Sequence, residues 1–123
     1  MTSDQPAGPA DRVLGHDLLD AALAHEPLPA DDVVEGAPTT ATHPLGGLTG
    51  ADGVEVGVWE MGEGVARDTE VDEIFVVLSG AGHVELEDGT VLELAPGVAC
   101  RLHAGERTTW TVTETLRKLY VAG

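Results

Sequence analysis

From Gly53 to Val121 the sequence is a series of short runs of β-forming residues, each separated from the next by a turn signal. In the first run Val54, Val56 and Val58 alternate with other residues, as expected when one face of a strand is buried. Asp88-Gly89 lies between two later runs, and this dipeptide favours a tight hairpin turn. About seven or eight short strands without helical periodicity between them predict an all-β antiparallel sandwich or barrel.

The N-terminal part of the chain has a different pattern. Residues 1–12 contain proline, glycine and polar residues without periodicity, which predicts a disordered tail. Between Gly15 and His25 apolar residues recur at helical spacing, with acidic residues near the start. We therefore expect one short helix that ends before Pro27 and packs on the outside of the barrel.

Residues 30–53 are acidic and rich in glycine and proline, which indicates an irregular lead-in to the barrel. Within them, Thr39–His43 is rich in β-formers and predicts an edge strand whose end is set by Pro44. The predicted organisation is a disordered tail, then a helix with a lead-in region and edge strand, then the barrel, at residues 1–12, 13–53 and 54–123.

Charge and cysteine content exclude several classes of function. Twenty-two acidic residues against six basic ones give a formal net charge of −16. Nucleic acids and anionic membranes both require a basic surface, so neither is expected as a partner. The single cysteine, Cys100, excludes an internal disulfide, and the N-terminal residues lack the pattern of a signal peptide. We expect a cytoplasmic protein.

Residues 54–121 resemble the cupin family in the order of their motifs. Glu73 is followed after six residues by Gly80, and Gly97 is followed eight residues on by Gly105. The segment Gly57-Val-Trp59-Glu60 and the C-terminal run from Trp110 to Tyr120 resemble small single-domain cupins related to ureidoglycine aminohydrolase and to the ethanolamine-utilisation cupin protein. The resemblance implies a cupin-type antiparallel β-barrel, or jelly roll, and more often a homodimer than a monomer.

The chain departs from the cupin pattern at the metal-binding histidines. The two histidine positions of the first motif fall on one of three residue pairs, depending on the spacing, and none contains histidine. These pairs are Ala66 with Asp68, Arg67 with Thr69, and Asp68 with Glu70. In the second motif Thr108 stands at the histidine position, so Glu73 is the one family ligand that remains.

No metal cofactor is therefore expected. A transition metal requires three or four nitrogen, oxygen or sulfur donors, and one carboxylate with a threonine hydroxyl does not provide them. The alternative is a harder divalent ion held by Asp68, Glu70 and Glu73, because carboxylates suit Mg²⁺, Ca²⁺ or Mn²⁺. The other interpretation of Asp68 and Glu70 is that they are surface charges in an acidic loop.

Glu73 is the first candidate site residue. Strand alternation places it on the same face as Phe75 and Val77, which the resemblance makes the barrel interior. A carboxylate there is either a catalytic acid or base, or a structural group bonded to Arg67, Thr108 or a backbone amide.

Arg67, Thr108 and Trp110 are candidate ligand-binding residues. Thr108 and Trp110 share the inward face, and the indole can form one wall of a pocket or simply fill the core. Trp59 is out of phase with the valines around it and is expected on the outer face. Arg117 and Lys118 are interpreted as partners of nearby acids, with an anion clamp as the alternative.

Three functions remain open from the sequence. The first is a metal-independent barrel that binds a small metabolite, such as a small carboxylate or a ureide. The second is a hydrolase, lyase or isomerase of the ureide or ethanolamine type, which would use Glu73 with or without a carboxylate-bound ion. The third is a structural module with a filled barrel. The expected homodimer needs an apolar interface, because a chain of this charge repels itself.

Overall fold

The computed structural model describes residues 12–48 and 53–123, in which nine β-strands are accompanied by a three-residue 3₁₀ helix. Nearly all regular structure in these ranges is β, as the sequence predicts, and they contain no helix long and apolar enough to cross a membrane. The elements are β1 (Glu26–Pro27), the 3₁₀ helix (Ala30–Asp32), β2 (Val33–Glu35), β3 (Thr39–Gly47), β4 (Glu55–Met61), β5 (Gly64–Thr69), β6 (Glu73–Leu86), β7 (Val91–Leu94), β8 (Ala99–Leu102) and β9 (Arg107–Ala122).

The strands form one antiparallel sheet that curls on itself around β9. The sheet runs in the order β1-β3-β4-β9-β5-β2, and β6 pairs with the other side of β9 as well as with β7 and β8. The first half of β9 pairs with β5 and the second half pairs with β4. β9 therefore has a neighbour on both sides along most of its length, and its inward residues line a closed interior. The predicted all-β antiparallel barrel is confirmed.

The long pairing of β6 with β9 contains several register shifts between Val77 and Gly82. At one of them Gly80 has a φ of +93°, and a β-carbon there would lie 2.1 Å from the carbonyl oxygen of Thr115. Only glycine fits this close approach, because any side chain would collide with the neighbouring backbone. The shifts bend β6 and allow the sheet to close.

The predicted N-terminal helix is wrong. Residues 18–20 form a turn in which Asp20 and Ala21 both donate to the carbonyl oxygen of Asp17, whose φ is +55°. The guanidinium of Arg117 donates hydrogen bonds to the carbonyl oxygens of Leu18 and Ala21. In a helix these oxygens would accept hydrogen bonds from the helix's own backbone. Tertiary contacts thus override the helical periodicity. The predicted tail lies outside the described residues, apart from Arg12.

The predicted edge strand exists but extends past its expected end. β3 continues through Pro44 to Gly47, with a register shift between Pro44 and Gly46 where it pairs with β4. Among residues 12–48 and 53–123, β3 is paired on its other side only at Thr39 and Thr40, by β1. Proline is tolerated at a bulge on an otherwise unpaired edge, because its missing N–H leaves no ladder bond unmade.

The barrel interior holds the main hydrophobic core. Strand alternation turns Phe75 and Val77 of β6 inward, as the sequence predicts, and both are buried. Residues from β4, β5, β8 and β9 pack against them, including Met61, Ala66, Leu102, Trp110 and Leu116. These apolar side chains surround the polar groups inside the barrel.

Candidate functional site

The only lysine of the chain is buried inside the barrel. Lys118 is 5% exposed, and its Nζ donates to Oε2 of Glu73 at 2.5 Å. The same nitrogen lies 4.6 Å from the ring centroid of Trp59, 4.5 Å from that of Phe75 and 4.7 Å from that of Trp110. An ammonium at these distances from aromatic faces makes favourable cation–π contacts. We call these four groups around the ammonium, three rings and one carboxylate, the aromatic box.

Strand register brings the aromatic box together. On β9, Lys118 is paired with Trp59 of β4 on one side and with Val77 of β6 on the other. Residues that face each other across antiparallel strands share a face of the sheet, so all three point into the barrel. Glu73 lies four residues before Val77 on the same face of β6.

The predicted outer position of Trp59 is wrong. Its ring packs 5.3 Å from that of Trp110, between centroids, inside the barrel. The valines used to phase the strand are on the opposite face, and one of them, Val58, is also buried. Because both faces of β4 are covered, apolar alternation did not identify the inner one.

Arg117 points away from the barrel, as expected for the residue next to Lys118. Its Nε lies 2.7 Å from Oε2 of Glu60, the residue paired with it on β4, and its other nitrogens reach the carbonyls of the N-terminal turn. His25 contacts the second oxygen of Glu60 at 2.6 Å. These contacts with Arg117 and His25 lower the pKa of Glu60 despite its partial burial. The predicted pairing of Arg117 and Lys118 with acids is confirmed.

A second buried carboxylate, Glu70, lies beside the aromatic box. Its Oε2 accepts hydrogen bonds from Oγ1 of Thr108 at 2.5 Å and from Nε1 of Trp110 at 3.0 Å. Trp110 Nε1 is also 3.1 Å from Thr108 Oγ1. The sequence placed Thr108 and Trp110 on one inward face, and both are buried there. Thr108 was also considered as a partner for Glu73, whereas its hydroxyl bonds Glu70.

Asp68 is a carboxylic acid whose pKa is raised towards neutral pH. Partial burial of its carboxyl group, together with the negative charge of Glu70, raises the pKa of Asp68 to about 6. Its Oδ1 accepts a hydrogen bond from the backbone N–H of Thr69 at 2.8 Å, and Lys118 opposes the rise. Arg67, the neighbouring candidate, is exposed and lines adjoining openings rather than the space next to Lys118.

A cavity of about 230 Å³ opens beside the aromatic box. One of its walls carries Tyr120, which is 6% exposed and whose hydroxyl makes no hydrogen bond of ordinary geometry among residues 12–48 and 53–123. Burial, followed by the nearby carboxylates of Glu55 and Glu73, raises the pKa of Tyr120, and the hydroxyl is close enough to Glu55 for hydrogen bonding to add to the rise. The polar lining of the cavity comprises Thr42, Glu55, Asp68, Glu70, Glu73, Lys118 and Tyr120.

A larger opening of about 580 Å³ lies at another part of the surface, between β5, β9 and the end of β6. It is lined mainly by charged residues, including Arg67, Glu85 and Arg107. We regard the smaller cavity as the candidate site, because three buried polar side chains, Glu70, Lys118 and Tyr120, line it together.

The carboxylates do not form a metal centre in the described ranges. Residues 12–48 and 53–123 contain no group of three or more His, Cys, Asp or Glu side chains arranged to hold a metal ion. Glu73 is directed to Lys118, whereas Glu70 is directed to Thr108 and Trp110. The donor set therefore does not fit the ion proposed for Asp68, Glu70 and Glu73.

A curled antiparallel sheet enclosing a polar site is the architecture expected of a protein of the cupin class. Residues 48–120 match the family described as the EutQ-like cupin domain, and the chain belongs to this family. No curated protein sequence matches the chain.

Solved structures share this fold. A protein of unknown function from Pseudomonas syringae pv. tomato is 22% identical, with a TM-score of 0.74. The match covers 85% of this chain and 46% of that protein, so this chain spans less than half of that protein's length. The Clostridium difficile EutQ protein is 20% identical with a TM-score of 0.63, over 83% of this chain and 79% of that one. A putative ethanolamine utilization protein Q from Salmonella typhimurium is 18% identical with a TM-score of 0.58, over 83% and 97%.

Proposed function

We propose that this protein is a metal-independent barrel that binds a small polar metabolite in the cavity beside Lys118. The observation that carries the proposal is the hydroxyl of Tyr120, which is buried on the cavity wall and makes no hydrogen bond of ordinary geometry within the described ranges, with the carboxylate of Glu55 as its nearby acceptor. Buried polar groups in proteins nearly always have a partner, so an unpaired one beside a cavity favours a ligand that supplies it. A cavity of about 230 Å³ also argues against a barrel filled only by its own side chains.

The charges around the cavity favour a ureide over a small carboxylate as the ligand. Glu55, Asp68, Glu70 and Glu73 line the cavity with acceptors, against the single ammonium of Lys118. A ureide offers several N–H donors to these oxygens and one carbonyl oxygen to the ammonium or to Tyr120. A free carboxylate would place its negative charge among the acids, which costs energy in a poorly hydrated site.

Metal independence is proposed from the chemistry of the donors. Glu73, the carboxylate at the cupin metal-ligand position, already pairs with the positive charge of Lys118. A divalent ion beside that ammonium would be repelled by it, and the protein has no imidazole at the other ligand positions. Metal analysis of protein purified without an affinity-metal column tests this part, and a stoichiometric ion would contradict it.

Proton-transfer chemistry on a ureide-type or ethanolamine-type substrate is the second candidate function. Asp68 lines the same cavity, and its pKa of about 6 lets it gain and lose a proton near neutral pH. Under this alternative Asp68 is the catalytic acid or base, while Glu73 holds Lys118. Turnover of a bound ureide that is lost in Asp68→Asn, with binding retained, would establish the enzyme.

Ligand binding is tested by tryptophan fluorescence, because Trp59 and Trp110 are the only tryptophans and both line the cavity. The uncharged N-methylurea and urea serve as ureide probes, and acetate serves as the carboxylate control. We expect a saturable fluorescence change and a higher melting temperature with N-methylurea, unaffected by EDTA. Tyr120→Phe should weaken the response. No response to either ureide, or a stronger one to acetate, would contradict the proposed ligand class.

We further propose a cytoplasmic homodimer formed through an apolar outer face of the sheet. Ile74 of β6 and Val121 of β9 are paired, and they are 51% and 42% exposed; Val76 and Leu119 form the next pair on the same face. Adjacent exposed apolar side chains of this kind favour a subunit interface. Ile74→Asp should yield a monomer by size-exclusion chromatography with light scattering, whereas Val91→Asp, also at an exposed valine, should leave the dimer intact.

A further inference from the structure

Lysine is used once in this chain, and in the barrel interior rather than on the surface. All other basic residues are arginines. Lys118 is 5% exposed, and its side chain ends between three aromatic rings and one carboxylate. An ordinary surface role in solubility or in exposed ion pairs is excluded by this position.

The aromatic box has the composition of a binding site for an organic cation. Proteins recognise small ammonium ligands with several aromatic faces, commonly helped by one carboxylate. In this barrel Trp59, Phe75 and Trp110 supply the faces and Glu73 supplies the carboxylate, all within 4.7 Å of Nζ measured to the ring centroids. The cation in the site is the protein's own side chain.

We propose that the aromatic box is an organic-ammonium site that Lys118 fills from within the chain, and that Lys118 thereby determines ligand specificity. Because the box is occupied, the native barrel rejects primary ammonium ligands. The adjoining cavity then takes a ligand that brings a hydrogen-bond acceptor to Nζ. This second consequence rests on the proposed function, whereas the occupancy of the box does not.

Shortening Lys118 tests the occupancy directly. Lys118→Ala removes three carbons and the ammonium, so propylammonium matches the missing fragment and 1-propanol is its neutral control. Lys118→Met is the matched variant that keeps the box filled without charge. Tryptophan fluorescence reports binding, since both tryptophans of the chain belong to the box.

We expect Lys118→Ala to bind propylammonium at least about 10-fold more tightly than 1-propanol, as a cation–π site with a carboxylate should. The native protein and Lys118→Met should show no saturable response to either probe. Adding Glu73→Gln to Lys118→Ala should reduce the preference for the cation, because the three rings remain but the carboxylate is lost. Equal binding of the two probes by Lys118→Ala, or a response of the native protein to propylammonium, would overturn the proposal.

A measurement on the native protein covers the case in which Lys118→Ala does not fold. With one lysine in the chain, the ε-methylene protons of ¹³C-labelled lysine give proton–carbon signals at a single carbon shift. Seated between three rings, these protons should be shifted upfield from their position in free lysine. An unshifted signal would show that the side chain leaves the box and would refute its occupancy.

The two proposals fail in different ways. If Lys118→Ala binds propylammonium more tightly than 1-propanol while the native protein binds no ureide, the proposed function fails and the filled ammonium site stands. If the native protein binds a ureide but Lys118→Ala does not distinguish cation from alcohol, the filled ammonium site fails and the proposed function stands.

Discussion

Glu73 and Lys118 form a buried ion pair, although strand register aligns neither with the other. Register pairs Glu73 with Ala122 and Lys118 with Val77, so the long lysine side chain runs along the barrel to reach the carboxylate. Both side chains are almost fully removed from solvent, at 9% and 6% exposure. In such a pair each charge depends on the other, because neither is compensated by water.

Removing one member of this pair should cost much more than removing both. Lys118→Met leaves the Glu73 carboxylate buried without its partner, and we expect a loss of about 3–5 kcal/mol in the free energy of unfolding. The double variant Glu73→Gln, Lys118→Met should recover most of that loss. Urea unfolding of the two single variants and the double variant gives the coupling energy. Additive losses would show that the two charges do not interact.

The hydrogen bond from Thr108 to Glu70 should contribute to stability through its hydroxyl. Thr108→Val keeps the shape of the side chain but leaves a buried carboxylate oxygen with one donor fewer. We expect a loss of about 1.5–3 kcal/mol, the usual range for a bond to a charged group. Thr108→Ser is the matched control and should lose much less in the same urea titration. Similar losses in both variants would assign the effect to the methyl group instead.

Asp68 should make stability fall as the pH rises through its pKa. The pKa in the folded state, about 6, is above the ordinary value of 3.8, so the folded protein binds the proton more tightly than the unfolded chain does. Below about pH 4 Asp68 is protonated in both states and does not lower the stability of the fold. Above about pH 6 it is ionised in both states, and the folded protein then bears the full penalty of a charge in this site. Asp68→Asn removes this cost at every pH.

The raised pKa of Asp68 therefore predicts how the difference in melting temperature between native protein and Asp68→Asn changes from pH 4 to pH 7. Native protein and Asp68→Asn should melt at similar temperatures near pH 4, and the variant should melt higher at pH 7. Asp88→Asn is a useful control, because hydrogen bonds from Thr90 lower the pKa of Asp88 below its ordinary value of 3.8, so its effect should change little between pH 4 and pH 7. A constant difference across the range for Asp68→Asn would contradict the raised pKa.

The N-terminal turn should depend on the planar guanidinium of Arg117. This side chain bonds Glu60 and the carbonyl oxygens of Leu18 and Ala21 at once, which the single ammonium of a lysine does not reproduce. Arg117→Lys should therefore speed hydrogen exchange in residues 18–25, with little change in β6. Exchange measured by mass spectrometry checks this, with Arg101→Lys, at an exposed arginine, as the control. Uniform acceleration over the whole chain would point to global destabilisation.

The fold follows closely from local patterns in the sequence. Alternation identified the inward face of β6 at Phe75 and Val77, and Asp88-Gly89 marked the turn between β6 and β7. The Glu73-to-Gly80 spacing indicated the cupin class. These features are legible because strand period and turn conformation depend on residues close together in the chain. The same reasoning failed between Gly15 and His25, where a distant arginine takes the carbonyls of the expected helix.

The candidate site could be predicted only in part from the sequence. The sequence by itself determined that Glu73, Thr108 and Trp110 face inward and that no histidine stands at the metal positions. Tertiary structure decided which groups meet: Thr108 with Glu70, and Lys118 with Glu73 and three aromatic rings. Trp59, Glu73 and Lys118 come from three strands far apart in sequence. Their meeting depends on register and barrel closure, which are properties of the whole sheet rather than of any one segment.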